Sequence, residues 1–197
     1  MTRNAQKKMR SLTLLLCSAV LLVCVGIGAT FAYLISQDSV TNSFTVGNVS
    51  ITLDEAAVNT DGTLIEGAER VQANRYHLIP GRSYSKDPTV HVNSGSEDCW
   101  VFVKLDNGIA EIEASGSGTI AAQLAANGWT AVAGETGVYA YGAVAEAGDE
   151  LALFSSFTIG SDVDVSDYAE ETIEITAYAI QAEGFADAAT AWAAIGA

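Results

Sequence analysis

The residues best able to do chemistry are two histidines, His77 and His91, a run of three aspartates, Asp162, Asp164 and Asp167, and one cysteine, Cys99, in the body of the chain. Zinc-dependent hydrolysis needs two histidines one helical turn apart with a glutamate between them. Neither histidine lies in a His-Glu-x-x-His arrangement, and both fall in strand-like or turn regions among aromatic and apolar neighbours. No Gly-x-Ser-x-Gly elbow supports a Ser-His-Asp site. The three aspartates are calcium candidates by type. The EF-hand spacing fails, because Asp167 stands where the turn glycine belongs and Ile173 where the bidentate glutamate belongs. A solvated loop in which an aspartate caps a short turn is the simpler reading. Trp100, Tyr139, Tyr141 and Tyr178 could stack on sugar rings, but on strand-like runs core packing accounts for them better. These residues point to no cofactor and to no enzyme.

The elements that carry these side chains begin after an apolar run. Arg3, Lys7, Lys8 and Arg10 precede an uncharged stretch from Ser11 to Leu34, and the first acid is Asp38. A basic end held in the cytoplasm ahead of an apolar segment is the polarity of an export signal. Thr30-Phe31-Ala32 places small residues at −3 and −1 of a cut between Ala32 and Tyr33. The run is also long enough to span a bilayer, so retention as an anchor stays open. Cleavage there removes four basic residues and leaves five against 24 acids, a formal charge of −19 on the remaining chain. Such a surface repels nucleic acid and anionic lipid. Cys17 and Cys24 leave with the signal, so Cys99 has no partner for an intramolecular disulfide and suits a buried apolar position.

Beyond Asn42 the chain reads as short β runs between turn residues. Asn59-Thr60-Asp61-Gly62 marks a turn, followed by a polar loop or hairpin to Asn74. Pro80-Gly81 suits a type II turn. Tyr84, Val90 and Val92 read as one strand, with Pro88 placing it at an edge. From Cys99 to Leu105 both alternating faces are apolar, which predicts a central strand. A short helix is predicted over Ile120–Ala126 and a hairpin across Gly134–Gly137. Another strand holds Leu151, Leu153 and Phe157–Ile159, and the last alternates from Ile173 to Ala179. Phe185, Ala189, Trp192 and Ile195 recur at helical spacing. Seven to nine strands with one late helix argue for an all-β, antiparallel β-sandwich of jelly-roll or immunoglobulin-like type, preceded by a signal helix.

Several segments resemble a known family. The junction Gly28-Ala29-Thr30-Phe31-Ala32-Tyr33, the Ser39–Asn48 segment and Ile51-Thr52-Leu53-Asp54 carry the likeness. So do Ile79-Pro80-Gly81-Arg82-Ser83-Tyr84-Ser85-Lys86-Asp87-Pro88-Thr89-Val90, Leu153-Phe154-Ser155-Ser156-Phe157 and Ala177–Phe185. Together they are similar to the Gram-positive exported proteins processed by a SipW-type signal peptidase, which include the TasA and camelysin (CalY) biofilm-matrix proteins. The resemblance implies a jelly-roll domain and secretion to the extracellular matrix or cell surface. It also implies fibres in which the N-terminal segment of one subunit completes the sheet of the next.

The expected organisation is a signal peptide over 1–32, a possible donor strand over 33–44 and a β-sandwich over 45–197. Leu34, Val40 and Phe44 are the donor-strand side chains, set among polar residues. A head-to-tail contact that does not close on itself makes a filament. The expected partners are other copies of the chain or other matrix proteins, with the signal peptidase during export. Nucleic acid is not among them, and the membrane is met only through the signal. The alternatives are a monomeric surface adhesin or binding module and, behind it, an exported hydrolase.

Overall fold

The computed structural model describes residues 48–195 except Ala169. The signal helix, the Ala32–Tyr33 junction and the donor candidates Leu34, Val40 and Phe44 lie outside the described residues. Within them are nine strands: β1 (Ile51–Asp54), β2 (Ser83–Ser85), β3 (Thr89–Val92), β4 (Cys99–Asn107), β5 (Trp129–Ala131), β6 (Val138–Tyr141), β7 (Glu150–Ala152), β8 (Ser156–Thr158) and β9 (Ile173–Gln181). Two helices, α1 (Ile120–Ala126) and α2 (Ala188–Ile195), and one 3-10 turn (Ser166–Tyr168) complete the set. Every strand pairing is antiparallel, in three sheets ordered β1-β3-β7, β2-β8 and β5-β6-β4-β9. The chain is all-β in class, with a short helix at the end of the described residues. None of its described helices is long and apolar enough to cross a membrane.

β4 organises the molecule. It pairs with β6 on one side and with β9 over nine residues on the other, so its backbone is satisfied along both edges. Cys99, Val101 and Val103 point into the main core with no exposed surface. Phe102, also fully buried, points the other way, into a second cluster with Trp100, Tyr178, Ala191 and Trp192. The two apolar faces of the sequence are therefore two cores, the second closed by α2. Trp192 packs on Phe102 and Tyr178 at centroid distances of 5.1 and 5.6 Å. Asp187 starts α2 by accepting from the Thr190 N–H at 2.8 Å. The buried face of α2 uses Ala188 and Ala191, and Ala189 of the predicted repeat is exposed. Phe185 reaches this cluster from the turn before the helix, not from within it.

The main core gathers side chains from all three sheets. Tyr84 and Phe157 stack across the β2-β8 pair at 5.0 Å, and Tyr76 meets both edge-on. Helix α1 caps one end with Ile120 and Leu124, its own start capped by Thr119. Its Gln123 and Asn127 side chains tie down the carbonyls of Ser156 and Leu153. The turn at Pro80-Gly81 forms with Gly81 at φ +77° and an Arg82 N–H to Ile79 carbonyl bond of 3.2 Å.

Two strand expectations need correction. The predicted strand through Tyr84, Val90 and Val92 is two strands in different sheets, β2 and β3, and β3 is central rather than an edge. The predicted strand from Leu151 to Ile159 likewise divides into β7 and β8. The cause is one corner. Pro88 has no N–H, so the ladder between these two chains breaks there. It is held on either side by Leu153 N–H to the Pro88 carbonyl (2.9 Å) and Lys86 N–H to the Ser155 carbonyl (3.1 Å). Pro88 sits just before a central strand, a place that needs no proline donor.

Candidate functional site: an open groove between two sheet edges

Among the described residues β1 and β9 each have a hydrogen-bonded strand on one side only. They face each other across a groove of about 530 Å³ lined by Ile51, Leu53, Ile173, Ile175 and Ala177, with Glu55 and Lys86 among its polar residues. A second groove of about 750 Å³ shares Glu55, Gln72, Lys86, Ile173 and Ile175, and runs on past Asn74, Tyr76 and Tyr168. The inward apolar residues of β1 and β9 are only half-buried. Their counterparts one strand further in are closed off: Val90, Val101 and Val103 have no exposed surface. The same core is finished in its middle and unfinished along this seam. A sheet edge without a strand partner among the described residues, beside an apolar floor, is a surface on which an extended segment can pair.

One wall of the groove is pinned by a polar cluster. Asp54, at the end of β1, accepts from Arg70 Nε and lies 2.9 Å from His91 Nε2. Arg70 also donates to Asp87 Oδ2 at 2.9 Å, and Asp87 Oδ1 accepts the Ala56 N–H at 2.6 Å. Burial works against ionisation of Asp54, but the hydrogen bonds and charges of Arg70 and His91 outweigh it and hold its carboxyl below the usual range. Deeper lies a buried pair, Lys86 with Glu55, which Asn74 joins through its carboxamide.

The residues singled out by type fall elsewhere. His91 sits on β3 with Asp54 on one ring nitrogen and Glu150 at 3.6 Å from the other, so its close polar neighbours are carboxylates. His77 meets its neighbours through its backbone: its N–H donates to the Thr60 carbonyl, and its own carbonyl accepts from the Tyr84 hydroxyl. Asp162, Asp164 and Asp167 lie on the exposed stretch between β8 and β9. Asp164 accepts the Ser166 N–H at 2.9 Å, which holds its carboxyl low, and Asp162 accepts from Ser161. Among the described residues no group of three or more His, Cys, Asp or Glu side chains is placed to hold a metal ion. Trp100 and Tyr178 pack in the second core, while Tyr139 and Tyr141 flank the first. Cys99 is fully buried, and burial, with Asp98 and Asp149 nearby, pushes its thiol up to about 11. Sequence reading missed Glu55, Asn74 and Lys86. The one available signal was a lysine in a strand-like run, two residues after Tyr84 and directly before Asp87-Pro88.

Set beside known proteins, the chain matches no protein-family model, no curated protein and no solved structure.

Proposed function

We propose that the chain is a secreted structural protein of an extracellular matrix or surface fibre, and that residues 33–44 of one copy fill the groove between β1 and β9 of the next. The observation that carries this reading is the half-buried apolar seam between two edge strands. The occupant is argued from its sequence pattern. Asn48, Val49 and Ser50 lead directly into β1, one of the two strands that border the groove. In an extended segment 33–44, Leu34, Val40 and Phe44 share one face, spaced by Ser36, Asp38 and Asn42. Main-chain bonds to a free edge would supply affinity, and Leu34, Val40 and Phe44 would supply specificity on the apolar floor. We read the three sheets around their shared core as a β-sandwich of jelly-roll type, freed by removal of 1–32 during export.

Deleting 33–41 from the chain that starts at Tyr33 leaves a folded monomer that forms no filaments by electron microscopy. Filaments unchanged by that deletion overturn the reading. A full-length mature chain that stays monomeric at high concentration, with 33–44 protected from hydrogen exchange, points instead to a monomeric surface module whose segment fills its own groove.

A further inference from the structure

Where the two grooves meet, three side chains of complementary chemistry converge. Lys86 is 8% exposed and Glu55 4%, and Lys86 Nζ donates to Glu55 Oε2. Charged lysines are almost never this buried unless paired, and a pair alone would account for these two. It does not account for the third. Asn74 Nδ2 donates to the other oxygen, Glu55 Oε1, at 2.9 Å, and to the Ala56 carbonyl at 2.8 Å. Its Oδ1 accepts the Val58 N–H at 3.0 Å, which fixes the orientation of the carboxamide. An amine and an amide carbonyl carbon are thus held on either side of one carboxylate, with a backbone donor on the amide oxygen. The Tyr76 ring, 6.0 Å from Nζ, stands beside the amine.

We propose that Lys86 and Asn74 condense into an intramolecular amide, with Glu55 carrying the protons. Lys86 Nζ gives a proton to Glu55 Oε2, and the freed lone pair attacks Asn74 Cγ. Negative charge develops on Oδ1, where the Val58 N–H already points. Glu55 passes protons from Nζ to Nδ2, the Cγ–Nδ2 bond breaks, and nitrogen leaves with two added protons as ammonium. The new Nζ–Cγ bond keeps one proton on nitrogen, and Glu55 ends ionised as it began. Charge and atoms balance without an outside reactant. Holding the reactants together replaces an encounter between separate molecules. The bond ties the segment through Asn74 to the end of β2, fixing a wall of the groove. It does not depend on what fills that groove.

Intact-mass and tryptic peptide analysis of the secreted chain tests it. The folded wild type runs below its sequence mass by one ammonia, about 17 Da. Its digest contains Val71–Arg75 joined to Ser83–Lys104, because an acylated Lys86 is not cut. Glu55→Gln returns the full mass with Lys86 and Asn74 in separate peptides. Lys86→Arg keeps the ion pair but not the primary amine, and also returns the full mass. A folded wild type at its full sequence mass, yielding Val71–Arg75 and Ser83–Lys86 as separate peptides, overturns the proposal whether or not the variants fold. A cross-link that persists in Glu55→Gln overturns the role given to Glu55.

Discussion

Replacing Ile175 by alanine separates a groove filled by another copy from one closed within its own chain. Ile175 pairs with Leu105 across β9 and β4, points at the main core and lines both grooves, yet is only half-buried. A fully buried isoleucine truncated to alanine costs about 2–5 kcal/mol. Half of that contact is present in the described body, so the monomer should lose roughly 1–2.5 kcal/mol. If a donor strand covers the rest, the remaining ~1–2.5 kcal/mol comes out of association. The concentration needed for assembly should then rise about 5- to 60-fold, at tenfold per 1.4 kcal/mol. Urea titration of the chain starting at Tyr33, diluted until monomeric, reads the first quantity, and sedimentation of filaments formed by the same chain reads the second. A monomer loss well above about 2.5 kcal/mol, in the upper range for complete burial, with an unchanged assembly concentration would refute the reasoning. It would mean that Ile175 is already covered by its own chain.

Three further outcomes follow from the geometry. Trp192→Ala should lower stability by about 2 kcal/mol, less than for a wholly buried tryptophan. It should also expose Phe102 and Tyr178, read as new binding of a hydrophobic dye, and an unchanged dye signal would count against α2 as a cover. Asp54 titrates below the usual carboxylate range when folded, so its contribution is present above the unfolded value of about 3.9 and is lost as pH falls through the lower folded value. Asp54→Asn should therefore weaken the protein at neutral pH and flatten the acid limb of its urea-unfolding profile. Finally, Cys99, fully buried with its thiol pushed up to about 11, should react with a thiol reagent at neutral pH only as fast as the chain unfolds. Prompt labelling under native conditions would contradict the burial.

What could be read from the sequence was whatever depends on local period. The two apolar faces of β4 implied a strand with neighbours on both sides, and the short helix predicted over Ile120–Ala126 is α1. What could not be read depends on which distant segments become neighbours. Tyr84 to Val92 alternates well enough for one strand. Only the ladder with 150–158 shows that the chain turns at Pro88 and contributes to two sheets. The groove was illegible for the same reason. Ile173, Ile175 and Ala177 have the pattern of any half-covered strand, and their exposure follows from β9 and β1 both ending up at sheet edges. Gly62 is a smaller case. Its turn was evident, but its φ of +81° and the Tyr84 atoms within 3 Å of any added Cβ show that this turn also packs against the core.

The corner at Pro88 links the two proposals physically. Because the ladder cannot continue through Pro88, Asp87 turns its carboxylate to the Ala56 N–H and Arg70, while Lys86 is turned inward against Glu55. Glu55 belongs to the chain that has just left β1, so the same corner that brings amine, carboxylate and carboxamide together also sets where the groove walls stand. An amide at that point would hold the walls apart before any strand arrives, lowering the ordering cost of filling the groove. The two ideas still fail separately. A chain that assembles at its full sequence mass keeps the groove and loses the amide. A cross-linked chain that never assembles keeps the amide and loses the donor strand.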